Sequence, residues 1–569
     1  MSSSHAHSPG QGHSHLTLPA LPEAVDIFDT TLRDGSQQEG LSLTVDDKLR
    51  VAEQLDHLGV AYVEGGWPGA NPKDEEFFAR APAELRLSTA TLVAFGSTRR
   101  AGVRAEEDEV LRQLVKANTE AVCIVAKASE LHVKEALRTT LDEAVAMAED
   151  SVRYLREHGL RVFFDAEHFF DGYRENPDFT LRVLRAAHEA GAETLVLCDT
   201  NGGSLPHEVE SIVATVTSHF DSQIGVHFHN DSGCAVANSI AGVRAGATHV
   251  QGCVNGYGER TGNADLAVAI GDLSLKLGVR TIPAERLERL TPVSHHIAEL
   301  VNIAPDPQQP YVGVAAFAHK AGLHTSAIAR RRDAYEHVPP DTVGNGTRFV
   351  VSEMAGRSTL ALKATELGLE LDSEAMDHVL DTLKRLEHRG YHFEVADGSL
   401  ELLLRRATGW APEYFELESF RVISDGDAAP GAGEDARHPD GDPVPGAGGG
   451  TRLPDSGTRH TTEATVKVLV GDTRVLSTAE GNGPVNALDT ALRKAIGSHF
   501  PVLDRIHLTD YRVRVLDTGR ATAAVTRVLI DTTDGERTWT TIGVSENIIE
   551  ASWQALFDSI VYGLLLHSE

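Results

Sequence analysis

From Val25 to about Leu277 the chain repeats one unit eight times: a short apolar run, a polar or glycine-containing turn, then an amphipathic stretch of helical period. No other feature restricts the fold as much. The apolar runs are VDIFDTT (25–31), AYVEGGW (61–67), LSTATLVAF (87–95), AVCIVAKA (121–128), RVFFDAEHF (161–169), ETLVLCDT (193–200), IGVHFHN (224–230) and THVQGCVNG (248–256). Between the first two, TVDDKLRVAEQLDHLG (44–59) places Leu49, Ala52, Leu55 and Leu58 at helical spacing and stops at Gly59. Strands that alternate with helices pair in parallel through right-handed crossovers. Eight such units in about 250 residues predict an α/β chain with a closed (β/α)8 TIM barrel over residues 24–279, rather than an open doubly wound sheet.

The remaining chain changes character twice. Residues 280–423 read as a helical subdomain, with ERLERLTPVSHHIAELVN and SEAMDHVLDTLKRLEHRGYHFEVADGSLELLLRRATG as its helical stretches. Residues 424–460, rich in Gly, Pro, Asp and Ala, hold too little apolar surface to offset ordering entropy and predict a disordered linker. Over 461–569, TEATVKVLV and YRVRVLD alternate as strands do, while PVNALDTALRKAIGSHF and SENIIEASWQALFDSIVYGLLL read as helices; this predicts a separate C-terminal α+β domain. Residues 1–23 carry His5, His7, His13 and His15 among Gly, Ser and Pro and read as a disordered leader.

Charge and cysteine content narrow the partners. Of 569 residues, 83 are acidic and 52 basic, a formal charge of −31 that repels nucleic acid and anionic lipid. Any site for an anionic substrate must therefore supply its own positive charge. No apolar run reaches the roughly 18 residues of a membrane span, and the N-terminus lacks the pattern of a secretory signal. Four cysteines (Cys123, Cys198, Cys234 and Cys253) form no CxxC pair and read as reduced thiols, which predicts a cytoplasmic location.

Barrel enzymes work where their strands end, so polar residues there are informative. Strand one runs into Arg33-Asp34, strand two ends with Glu64, strand five with Asp165-Ala166-Glu167-His168, and strand six with Asp199-Thr200-Asn201. Strand seven carries His227-Phe228-His229, and the loop after strand eight runs from Asn255 to Asn263. Period-two alternation puts His227 and His229 on one side of their strand. Strands one and eight are neighbours in a closed barrel, and seven borders eight. Asp34, both imidazoles and an amide of that loop can therefore meet around a divalent cation, for which Mg2+, Mn2+ and Zn2+ all suit the mixed oxygen and nitrogen set. Arg33 suits a keto-acid carboxylate or a developing alkoxide, and Glu167 suits proton transfer.

Four ordered motifs, FDTTLRDGSQQEG (28–40), VHFHNDSGCAVANS (226–239), GCVNGYGERTGNADL (252–266) and AHKAGLHTSAI (318–328), resemble those of the 2-isopropylmalate, homocitrate and citramalate synthase family. AYVEGGWPGANPKDEEFF (61–78) and YEHVPPDTVGN (335–345), with MAGRSTL (354–360), resemble its citramalate branch, and EGNGPVNALDTAL (480–492) resembles the family's regulatory, dimer-forming domain. The resemblance implies an acyltransferase that condenses acetyl-CoA with pyruvate to citramalate in isoleucine biosynthesis. It implies Asp34, His227, His229 and Asn263 as metal ligands and Arg33 beside the keto group. It also implies Thr200 near the substrate carboxylate, and Glu167, His324 and Tyr335 as catalytic groups. A homodimer is implied as well, with His324 reaching the partner's site, and isoleucine as effector of the C-terminal domain. Action on another 2-keto acid, or a lyase reaction of the 3-hydroxy-3-methylglutaryl-CoA type, is the alternative the residues leave open.

Overall fold

The computed structural model describes residues 20–320, 324, 327, 328, 330–351, 356–412, 414–425, 461–516 and 524–568. The expected leader up to residue 19 and the expected linker from residue 426 lie outside these residues. The chain divides into two compact units, Met1–Ala318 with Glu336–Arg348, and His319–Tyr335 with Phe349–Glu569.

In the first unit, β1 (Asp26–Asp29), β2 (Tyr62–Gly66), β3 (Thr91–Ser97), β4 (Ala121–Lys127), β5 (Arg161–Glu167), β6 (Thr194–Asp199), β7 (Gln223–Phe228) and β8 (His249–Gly252) form a closed barrel in sequence order. All pairings are parallel, and β8 closes on β1 from Asp26↔His249 to Asp29↔Gly252. The predicted barrel is present, and each expected strand segment overlaps one of its strands. Strand three begins later than the 87–95 run suggested. The Asp56 carboxylate accepts the amides of Ser88, Thr89 and Ala90 at 2.7–3.0 Å and holds them as a loop instead.

The helix α1 (Val45–Leu58) shows why the local sequence folds as it does. Thr44 caps it with a reciprocal bond to Asp47, and Gly59 ends it at a φ of 99°, where a side chain would be strained. Leu49, Val51, Ala52, Leu55 and Leu58 bury one face against the barrel. Inside, the strands lay down layers two residues apart. Phe28, Tyr62, Phe163 and His249 form an aromatic plug, with ring centroids 4.8–6.0 Å apart. Two residues further along the same strands stand Glu64, Asp165 and Gln251, all buried. The barrel is apolar below and charged above.

In the second unit, helices Arg357–Glu366, Ser373–His388 and Asp397–Ala407 precede two three-stranded antiparallel sheets. Helices Pro484–Ile496 and Ile548–Leu566 cover those sheets. Glu416–Asp425, read from sequence as the end of the helical subdomain and the start of the linker, is a strand paired with Thr461–Val470. Leu417, Phe420 and Val422 pack partly buried against the C-terminal core, so the domain takes a strand from before the 426–460 segment. Among the described residues, no helix is long and apolar enough to cross a membrane.

Candidate active site

Beyond β1 the chain turns back on itself, anchored by Asp29. Its carboxylate accepts the Thr31 amide at 2.8 Å, the Thr31 hydroxyl at 3.0 Å and the Val254 amide at 3.2 Å, tying the loop after β1 to the loop after β8. Burial still pushes this carboxyl up to about 7 against those bonds. The turn delivers Arg33 and Asp34 to the barrel mouth.

There Asp34, His227 and His229 converge, buried, with one potential ligand atom from each within 4.8 Å of the others. Asp34 Oδ2 lies 3.3 Å from His227 Nε2 and 3.7 Å from His229 Nε2, and the two Nε2 atoms are 3.4 Å apart. Burial would raise the Asp34 carboxyl, but Arg33, His227 and His229 together hold it well below the usual range. Burial, then His227, pushes His229 down to about 4. Burial lowers His227 too, but Asp34 outweighs it and raises that ring; a carboxylate with two imidazoles is a donor set that suits a divalent cation. Asn263 joins through the backbone, paired with His229 in an antiparallel bridge. Its amide nitrogen donates to Tyr257 O at 3.0 Å, and its Oδ1 is a buried acceptor with no donor. Gly258, at a φ of 144°, leaves the room: a Cβ there would lie 2.3 Å from the Asn263 amide nitrogen. An orphaned buried amide oxygen, together with a carboxylate and two imidazoles, fits a divalent ion.

Arg33 is fixed on three sides. Its Nε donates to Glu64 Oε2 at 2.7 Å, its Nη1 lies 3.5 Å from Asp34, and its guanidinium sits 3.9 Å over the Phe95 ring. Desolvation opposes its charge, but Glu64 and Asp34 outweigh that and keep it protonated. Glu64 in turn is raised by burial to about 7 despite Arg33. On the opposite wall Glu167 pairs with Lys127, and the Thr200 hydroxyl accepts the His168 amide at 2.9 Å. A cavity of about 590 Å³ brings Arg33, Asp34, Glu167, Thr200, His227 and His229 to one wall system, with Lys127, Arg99, Arg100 and Arg260 adding positive charge. His324 and Tyr335 belong to the second unit, where both are exposed and their rings stack at 4.1 Å.

Residues 24–290 match the HMGL-like family, 311–391 the homocitrate synthase post-HMGL domain-like family, and 455–564 the LeuA allosteric (dimerisation) domain. The (R)-citramalate synthase of Streptomyces coelicolor is 50% identical over 548 residues, covering 96% of this chain and 97% of that one. The chain belongs to the (R)-citramalate synthase family. Family members from Aquifex aeolicus, 47% identical over 552 residues, and Synechocystis, 48% over 550, align over 96% and 95% of this chain and 99% and 96% of theirs.

Within this family barrel, several mouth residues were not singled out from sequence. Glu64 was read only as a strand end, although it anchors Arg33 from 31 positions away. Lys127, the partner of Glu167, and Gln251, the partner of His227, look like ordinary polar interruptions of apolar strands. The signal that finds them is the layer rule: Gln251 lies two residues beyond His249, and the register sets it opposite His227.

Proposed function

We propose that the barrel mouth condenses acetyl-CoA with pyruvate and water to give (R)-citramalate and free CoA. The Asp34–His227–His229 cluster, with the unpartnered Asn263 oxygen, at the strand ends of an (R)-citramalate synthase family barrel is the observation that supports this reading most directly. A divalent ion, Mg2+, Mn2+ or Zn2+, held by Asp34, His227, His229 and Asn263 supplies Lewis-acid polarisation of the keto carbonyl when bound. Arg33, immobilised by Glu64 and Phe95, presents a fixed positive charge to the alkoxide that develops at C2. Thr200, whose oxygen already accepts the His168 amide, keeps its own O–H to donate to the substrate carboxylate.

Proton removal falls to His324 of a second copy of the chain. Tyr335, stacked on it, orients the ring, and Glu167, held by Lys127, partners it in proton transfer. The C–H electron pair of the acetyl methyl group becomes an enolate, whose carbon bonds to C2 of pyruvate while the carbonyl pair moves to oxygen and takes a proton. Water then cleaves the thioester, leaving the citramalate carboxylate and the CoA thiol. The positive side chains of the mouth offset the chain's overall −31 charge for two anionic substrates. The LeuA-type domain pairs two copies and responds to isoleucine, so removal of residues 413–569 abolishes isoleucine inhibition.

The test is release of free CoA thiol with a panel of 2-keto acids, with and without added metal. Highest kcat/KM for pyruvate, lost on chelation and restored by the ion, is the expected result. Preference for 2-ketoisovalerate or 2-oxoglutarate overturns the substrate assignment.

A further inference from the structure

His227 stands opposite Gln251 in the β7–β8 register, and both are buried. The Nδ1 of His227 lies 2.8 Å from Gln251 Oε1, and Gln251 Nε2 donates to Asp165 Oδ1 at 3.0 Å. These contacts leave little choice of donors and acceptors. The amide turns its NH2 toward the Asp165 carboxyl oxygen and its own oxygen toward His227. That oxygen can only accept, so Nδ1 carries the proton. Nε2 is thereby left as the nitrogen that can offer a lone pair to a cation, and it is the atom 3.3 Å from Asp34 and 3.4 Å from the His229 ring nitrogen. His249, one layer below on β8, shows that the barrel buries an imidazole without such a chain: neither of its ring nitrogens has a partner.

We infer that Gln251 and Asp165 are positioning residues that hold His227 in its Nδ1–H form and aim Nε2 at the cation site. This rests on reading Asp34, His227 and His229 as that site. An amide held from behind by a carboxylate cannot rotate to present its NH2 to the ring, so the ligand stays oriented before any ion arrives.

Mn2+ binding to the full-length protein, followed by loss of the free-ion paramagnetic resonance signal at fixed pH, tests it. If the wild-type protein takes up no Mn2+, the metal reading itself fails, whatever the variants do. Given wild-type binding, Gln251→Met removes the acceptor at similar volume and weakens affinity roughly 10–100-fold, the usual scale for an outer partner of a metal ligand. The double variant Gln251→Glu with Asp165→Asn exchanges carboxylate and amide: the new carboxylate accepts from both His227 and the new amide, and affinity stays near wild type. Packing alone predicts the opposite order, with Met tolerated. Wild-type affinity in Gln251→Met, or a double variant as weak as Gln251→Met, overturns the inference. Should Gln251→Met not fold, Gln251→Asn, which withdraws the acceptor by one methylene, carries the same expectation.

Discussion

The barrel mouth and a cavity in the second unit are of similar size, about 590 and about 740 Å³, yet they are built on opposite principles. In the second, lined by Tyr391, Phe420, Trp553 and Phe557 among others, the polar groups satisfy one another. Asp558 accepts Ser399 Oγ at 2.8 Å and Arg406 Nη2 at 3.1 Å, and the Tyr391 hydroxyl donates to Gln554 at 3.0 Å. In the mouth, His229 Nδ1, Asn263 Oδ1 and Glu64 Oε1 are buried without partners, and charges of both signs crowd within bonding distance. A buried polar atom without a partner is unfavourable by about 1–3 kcal/mol. Volume therefore does not distinguish the two cavities; unsatisfied polarity among their lining groups does.

The comparison breaks if equal damage in the two cavities has equal consequences. His227→Ala removes a proposed ligand from the mouth, and the expected loss in kcat/KM is on the order of 10³-fold, since a Lewis acid contributes several kcal/mol. Steady-state CoA release after chelation and re-addition of metal checks this. Near-normal activity in that variant removes the cluster from the chemistry.

How much of this contrast is legible in the sequence depends on distance along the chain. The eight strands are readable because each is a local pattern, and so is the shared face of His227 and His229, which follows from alternation alone. Asp34 is reached by one further step, the neighbourhood of strands one, seven and eight in a closed barrel. What resists reading is pairing across strands: Arg33 with Glu64, Glu167 with Lys127, and Gln251 between His227 and Asp165. Each depends on register and on which of several polar residues lies at the same height, and one sequence does not carry that. The strand Glu416–Asp425 was hidden for a related reason, since its partner Thr461–Val470 lies beyond the Gly- and Pro-rich segment.

Two smaller effects sharpen the contrast. Replacing His324 with Asn, which keeps the shape but removes the base, lowers turnover about 10²-fold. The Mn2+ affinity of the mouth stays unchanged, because His324 is not among the proposed ligands. A loss of metal binding in that variant overturns this division of roles. Mn2+ itself stabilises the folded protein by about 2.7 kcal/mol at 100 times its dissociation constant, read as a rise in unfolding free energy that a chelator reverses. His229→Ala abolishes that increment, whereas Asp558→Ala retains it.

The smallest effect concerns the second cavity, where its size depends on pH. Asp558→Ala strands the buried Ser399 hydroxyl, while the exposed Arg406 guanidinium turns to water, and the expected loss is about 1–3 kcal/mol in unfolding free energy, with turnover unchanged. Asp558→Asn is milder because the amide oxygen still accepts one bond. Burial raises the Asp558 carboxyl, with Arg406 and Ser399 opposing it only in part. A carboxyl whose folded pKa lies above its unfolded value binds more protons when folded. Its contribution is complete below the unfolded value and fades as pH climbs through the folded one. Asparagine does not titrate, so the advantage of wild type over Asp558→Asn narrows as pH rises from about 4 toward neutrality. Denaturant unfolding of both proteins across that range measures the gap directly. A gap that widens with pH means that the Arg406 ion pair outweighs burial, and the second cavity then stores charge much as the mouth does.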